Sequence, residues 1–236
     1  MENELTKKLN YLEVFQICDS TFPIGTFNHS FGMENYLRTN VIKKAPEFRI
    51  WLENYYRSQF RFGEGLLVKL CYEAIDKHDF DKLIEYDDQI TKSTLATETR
   101  NGTKLIAHQM IILIDKIYGD KVPHLKEYAK AIEDGKAYGN PAIVFSMFAH
   151  YKGVPLMDAF LMYGYSVAST LVLNAVRAIP LGQREGQVIL NDLIKLLKPL
   201  YKRVMKLDAS YIGANAPGLE MAQINHETQE SRLFMS

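Results

Sequence analysis

His29 beside Ser30 and His226 beside Glu227 are the pairings in this chain most suggestive of acid–base or metal chemistry. Neither completes a catalytic arrangement on its own. Adjacent side chains point apart in most backbone conformations, and the sequence around Ser30 has no Gly-x-Ser-x-Gly elbow to expose a nucleophile. His226-Glu227 opens like a zinc-binding His-Glu-x-x-His helix, but Glu230 stands where the second histidine is needed. What remains is a two-ligand metal site of His226 with Glu227 or Glu230, set against the plainer reading of a solvated helix surface or a partner contact. His78, His108, His124 and His150 show no ligand spacing, and no Gly-x-x-x-x-Gly-Lys-[Ser/Thr] loop is present to hold a nucleotide. Cys18 and Cys71 are far apart and read as buried thiols that pack as small apolar residues.

His29 lies in a longer stretch, Asp19-Ser20-Thr-Phe-Pro23-Ile-Gly25-Thr-Phe-Asn-His29-Ser30-Phe-Gly-Met-Glu34, which has no amphipathic period. Its glycines, proline and polar groups describe a shaped loop, with Asp19 or Ser20 expected to cap an adjoining helix and His29 to bond to backbone. A second punctuated element, Arg177-Ala-Ile-Pro180-Leu-Gly182-Gln183-Arg-Glu-Gly-Gln187, turns one helix into the next. Gln183 and Gln187 then fall one turn apart on a helix face, with Gly186 beside them allowing a backbone or a partner to approach closely. The third runs from His226 to Ser236 and places Arg232, Leu233 and Phe234 beyond a helix. Such a basic and apolar cluster either folds back on its own body or orders against a partner, with Phe234 as anchor and Arg232 as a two-pronged donor.

The elements that carry these stretches are helical. Phe48, Trp51, Leu52, Tyr55, Tyr56 and Phe60 share one face, and Leu66, Leu67, Leu70, Cys71, Ala74 and Ile75 another. The period returns at Ile106, Met110, Leu113, Ile114 and Ile117, at Leu125, Tyr128, Ala129 and Ile132, and from Leu190 through Leu193, Ile194, Leu197, Leu200 and Tyr201 to Val204. Pro46, Pro123, Pro141, Pro155 and Pro217 precede such runs as first-turn prolines, while Pro199 falls inside one and predicts a kink or break. The uncharged run Ala159–Val176 approaches membrane-spanning length, but Tyr163, Tyr165, Ser166, Ser169, Thr170 and Asn174 scatter polar groups around it, as in a central buried helix. With 28 basic and 28 acidic residues the chain has no net charge and no basic stripe for nucleic acid. Met1 to Asn10 is polar and mixed in charge, unlike a secretory signal or transit peptide, so cytosol is the expected compartment. The expectation is one all-α domain, residues 1–236, a bundle of about ten helices with terminal tails free to order on a partner.

Together the three stretches resemble the UreF family of urease accessory proteins. The family pattern runs roughly Asp-Ser-x-x-Pro-x-Gly-x-Phe-x-His-Ser-x-Gly-Leu-Glu, departed from at Met33, and continues with an Arg-x-Ile-Pro-Leu-Gly-Gln-x-x-Gly-Gln-like corner and a His-Glu-x-x-x-x-Arg-Leu-Phe-x-Ser ending. Weaker echoes lie at Glu98-Thr-Arg100-Asn-Gly-Thr-Lys104-Leu105 and at Gly139-Asn-Pro-Ala-Ile-Val-Phe145, where many members carry histidine in place of Asn140. The resemblance implies a non-catalytic, all-helical accessory protein with no tightly bound cofactor. It implies a homodimer that binds UreD (UreH in some organisms), recruits the nickel-carrying GTPase UreG and presents nickel to apo-urease. On this reading the partner-binding residues are Asp19, Ser20, Pro23, Gly25, His29, Ser30 and Glu34, the corner residues Arg177, Pro180, Gly182, Gln183 and Gln187, and His226, Glu227, Arg232, Leu233 and Phe234. The last group is assigned mainly to UreD, and the others to dimer, UreD or UreG contacts. Two other functions stay open: a lone metal-dependent or acid–base enzyme using His29, Glu34, His226 or Glu227, and a regulator that stimulates GTP hydrolysis through Arg177 or Arg184.

Overall fold

The computed structural model describes residues 2–214 and 216–236; Met1, the first residue of the polar N-terminal stretch, lies outside them. Among the described residues there are eleven α-helices and no strand: α1 (Glu2–Cys18), α2 (Met33–Arg38), α3 (Ala45–Tyr55), α4 (Glu64–Asp76), α5 (Phe80–Ser93), α6 (Thr97–Tyr118), α7 (Leu125–Glu133), α8 (Pro141–Tyr151), α9 (Leu156–Ala178), α10 (Gln183–Val204) and α11 (Pro217–His226). A π-helical turn, Tyr56–Phe60, follows α3 and prolongs its apolar face.

The apolar run of α9 is the centre of the fold. It is long and apolar enough to cross a membrane by composition, but α1, α3, α4, α8 and α10 pack around it and bury Phe160, Leu171, Val172 and Ala175. Two glycines make this closeness possible. A Cβ on Gly164 would lie 2.8 Å from Leu197 on α10, and one on Gly186 would lie 3.0 Å from Val172. Tyr56 donates to the Gly164 carbonyl at 2.5 Å and stacks on Phe60, whose ring meets Phe160 edge-on. Each such aromatic pair adds about 0.5–1.5 kcal/mol to the area it buries.

The stripes on α3 and α4 are buried throughout, whereas Ile117 and Ile194, expected in the core, lie exposed. Pro46, Pro141 and Pro217 occupy first turns, Pro155 caps α9, and Pro123 stands ahead of α7. Pro199 does not interrupt α10, which runs unbroken to Val204. Pro199 and Lys195 both lie on the exposed side of α10, where water can serve a carbonyl left without its N–H partner. Asn140 is the N-cap of α8, its side chain accepting from the Ala142 N–H at 2.9 Å. The fully buried Asp87 fixes the approach to that cap by accepting from Tyr128 and from the Tyr138 and Gly139 amides. Cys18 and Cys71 are buried free thiols, with burial pushing Cys18 up to about 12.

Candidate functional site

The loop after α1, the end of α9 and the segment after α11 meet in space. Asp19 begins the loop by accepting from the amide and the hydroxyl of Thr21, bonds that hold its carboxyl below the usual range; it shapes a turn and caps no helix. Gly25 (φ 84°) opens a short 3-10 turn at Thr26–Asn28, and Gly32 (φ 91°) starts α2. A side chain at Gly32 would be strained in that left-handed conformation and would meet Gln223 of α11 at 2.9 Å. Gln223 in turn donates to the Phe31 carbonyl at 3.3 Å, so α11 lies against the loop.

His29 and Ser30 are buried with separate partners. The His29 ring packs so close to Gly102 of α6 that a Cβ there would be 2.7 Å from it, and its Nδ1 is 2.8 Å from the Ser236 hydroxyl. Asn174 of α9 donates to the His29 carbonyl at 2.9 Å. The Ser30 hydroxyl accepts from the Glu34 amide at 3.3 Å, and the Ser30 and Phe31 amides donate to the Ser236 carbonyl oxygen. The His29 ring and the Ser30 amide hold the loop to the C-terminal segment, the Ser30 hydroxyl serves the start of α2, and the two side chains do not address each other.

Glu34 is the point where that segment attaches. Its Oε1 accepts the Leu233 amide at 2.6 Å and its Oε2 the Phe234 amide at 3.0 Å. The same Oε2 is 2.9 Å from Nε2 of His226, whose Nδ1 is 2.8 Å from Glu98 in the first turn of α6. Glu98 also pairs with Arg232, whose guanidinium donates to the Gln229 and Glu227 carbonyls as well. The Glu227 carboxylate accepts the Thr97 and Glu98 amides at the start of α6, where a negative charge is stabilised by the helix dipole. Phe234 is inserted beneath the Arg177 guanidinium, 5.4 Å from ring centroid to Cζ, and Arg177 donates to the Phe27 carbonyl. The Met235 amide donates to the Asn28 carbonyl at 2.7 Å.

These contacts redraw the roles read from the sequence. His226 is wholly buried rather than on a solvated surface, and both its ring nitrogens face carboxylates, which leaves neither for a metal. Glu230 is exposed, and among the described residues no group of three or more His, Cys, Asp or Glu side chains is placed to hold a metal ion. Phe234 and Arg232 are spent on the chain's own body, while Leu233 and Met235 are exposed. Arg177 joins the cluster; Pro180, Gly182, Gln183, Arg184 and Gln187 stay exposed at the α9–α10 corner, and Ser20 and Pro23 on the outside of the loop. The close approach that Gly186 permits is to the chain's own α9. Glu98, Gly102, Asn174 and Ser236 are members that the sequence reading did not assign. Asn174, an amide in an otherwise apolar run, was the available signal.

Burial lowers His29 and favours its neutral form. For Glu98, burial alone acts upward, but bonds from His226 and Arg232 outweigh it and the carboxyl is lowered. A lowered imidazole disfavours the fold once pH drops below its ordinary value, and a lowered carboxylate contributes stability that is lost as pH falls through its folded value. Both effects have the same sign, so the urea midpoint is expected to fall on acidification from pH 7 to pH 4, with a smaller fall in His29→Gln. Equal acid dependence in the variant would assign the effect elsewhere.

The fold and the site define an all-helical protein whose shaped loop, helix end and C-terminal segment form one joined surface. The UreF family model matches residues 42–194. "Urease accessory protein UreF" of Streptococcus thermophilus (strain ATCC BAA-491 / LMD-9) is 52% identical over 227 residues, covering 96% of this chain and 95% of the relative. The protein of the same name from Streptococcus salivarius (strain 57.I) is 51% identical over the same shares, and that of Bacillus sp. (strain TB-90) is 41% identical over 95% of this chain and 98% of its own. The chain belongs to the UreF family.

Proposed function

We propose that this protein works in urease maturation as a non-catalytic cytoplasmic scaffold. A homodimer binds UreD (UreH) and recruits the GTPase UreG for delivery of nickel, its cargo, to apo-urease. The observation that supports this reading is the convergence of the 19–34 loop, the Arg177 end of the corner and the C-terminal segment on one face. There the ionisable side chains, Glu34, Glu98, Glu227, His226 and Arg232, are turned to backbone amides, carbonyls and each other. Side chains used in this way build a surface and leave no poised nucleophile–base pair. Arg177, tied to Phe27 and Phe234, is likewise held as a structural cation instead of extended as a finger toward a nucleotide.

The surface offers exposed Leu233 and Met235 held on a buried Phe234. Apolar side chains displayed on a fixed backbone are suited to a partner groove, because little ordering entropy is left to lose on binding. Deleting residues 233–236 is expected to abolish capture of the UreD homologue with far-UV helicity unchanged. Leu233→Asp/Met235→Asp, which leaves Phe234 in place, should weaken capture at least about tenfold, since interface anchors are worth more than about 1.4 kcal/mol each. Unchanged affinity in both variants would remove the C-terminal segment from the UreD interface.

A further inference from the structure

We propose that the C-terminal half of α10 is a second docking surface, which takes an acidic, partly apolar face of a partner protein while the 229–236 face holds another.

The chain is neutral as a whole, but this stretch is not. Between Leu193 and Leu207 stand five basic residues and no acidic one. Lys195, Lys198 and Lys202 follow one another at three and four residues, which sets them in one row along the helix. Arg203 in the last turn and Lys206 just beyond it carry the row on, over about 16 Å in all. All five are exposed. The carboxylates at either end of the row are already engaged: Asp192 pairs with Arg49 as well as with Lys195, and Asp208 accepts the amide and the hydroxyl of Ser210. Lys198, Lys202, Arg203 and Lys206 form no ion pair among the described residues. The helix dipole accounts for cations in the last turn, and its effect does not reach Lys195 and Lys198.

The row has an apolar flank. Ile194 is 44% exposed although its run predicts a core position, and Tyr201 and Met205, seven and eleven residues on, are partly buried on the same side. Cations beside apolar side chains match a protein face that sets carboxylates beside an apolar anchor. A bilayer fits less well, because the main apolar face of α10, with Leu193, Leu197 and Leu200, is buried and only this narrow flank is left to insert. Nucleic acid fits less well too, since one row a few turns long on a chain without net charge falls short of a phosphate-binding surface.

The row is far from the C-terminal segment. α9 and α10 run antiparallel, so that Phe160 near the start of α9 meets Tyr201 near the end of α10, while Arg177, which covers Phe234, lies at the opposite end. From Gln183 at that end to Lys198 the helix rises about 22 Å. Partners on the two surfaces therefore need not compete. That two are held at once rests on the scaffold role proposed above; the preference of the row for an acidic face does not.

The test maps by amide NMR, on the intact protein, the binding of a short amphipathic glutamate–leucine peptide, of duplex DNA and of phosphatidylserine vesicles. The peptide should shift amides within 194–206 and lose about tenfold in affinity between about 50 and about 300 mM salt. Lys198→Glu/Lys202→Glu/Lys206→Glu should abolish those shifts. Loaded with the UreD homologue, this variant should capture the UreG homologue or apo-urease at least about tenfold less well than the parent, with capture of UreD itself unchanged. Should the reversed variant lose helicity, glutamine at the same three positions takes its place. A parent that captures neither protein defeats the scaffold role, and the peptide map then decides the row alone. Peptide shifts that fall outside 194–206, tighter binding of DNA or vesicles at those residues, or capture of both proteins unchanged by the substitutions overturns the proposal.

Discussion

Glu34→Ala is expected to unseat the C-terminal segment and to lower stability by about 3–5 kcal/mol, the range found when one partner of a buried charged cluster is removed. The buried carboxylate does three jobs, accepting the Leu233 amide, the Phe234 amide and a ring proton of His226. Truncation leaves all three donors without their acceptor, and each unsatisfied group costs about 1–3 kcal/mol or more. The segment has an easier escape than the helices, because it can leave for water and regain its hydrogen bonds there. Most of the loss is therefore expected as release of 229–236, with helix content nearly kept. Limited proteolysis should cut the variant near the segment at a rate at least about tenfold above the parent, and a urea titration should report the lower midpoint. Glu34→Gln, which keeps an accepting oxygen but not the charge, belongs between the two. A parent-like cleavage rate in Glu34→Ala would show that the hub does not hold the segment.

Gly102→Ala sets two effects against each other. In the middle of α6, alanine is the better helix former by about 0.8–1.0 kcal/mol, so on local grounds the substitution stabilises. The added Cβ, however, would stand 2.7 Å from Cε1 and Nδ1 of His29, a rigid ring pinned by Ser236 on one side and, through its carbonyl, by Asn174 on the other. Overpacking of this kind costs about 1–3 kcal/mol, and the ring can relieve it only by drawing away from the Ser236 hydroxyl. The clash wins at the site while the propensity gain remains in the helix. The expected result is a small change in thermal midpoint alongside at least about a tenfold loss in UreD-homologue capture. Capture equal to the parent would show that His29 is free to move without disturbing the face.

The helices were legible because burial writes a 3.6-residue period into the chain. Phe48 through Phe60 and Leu66 through Ile75 were read as faces and are buried as faces. Of the kink or break expected at Pro199, the break is absent: a proline's effect depends on what its missing N–H would have served, and Pro199 stands on the exposed side of α10, where water can serve that carbonyl. The site was legible as three unusual stretches but not as one place. His226 meets Glu34 across 192 residues of sequence and Glu98 across 128, so a search for ligands near it along the chain could find only Glu227 and Glu230. Phe234, expected as an anchor against either its own body or a partner, is buried on its own body beneath Arg177. Glu98 and Gly102 stand in the weaker family-like stretch Glu98–Leu105, but their place in the site was not legible there, since a first-turn carboxylate and a glycine inside a helix gain meaning only from what the tertiary fold brings against them.

In the role proposed above, this chain assembles the urease maturation machinery without doing chemistry itself. The direct measurement is reconstitution of apo-urease activation with nickel, bicarbonate, GTP and the UreD and UreG homologues, with and without this protein, while native mass spectrometry resolves the complexes formed. A scaffold gives a UreD-dependent complex containing this chain, entry of UreG only when it is present, and activation that requires it. Full activation in its absence, or UreG joining UreD equally well without it, would rule out the scaffold role.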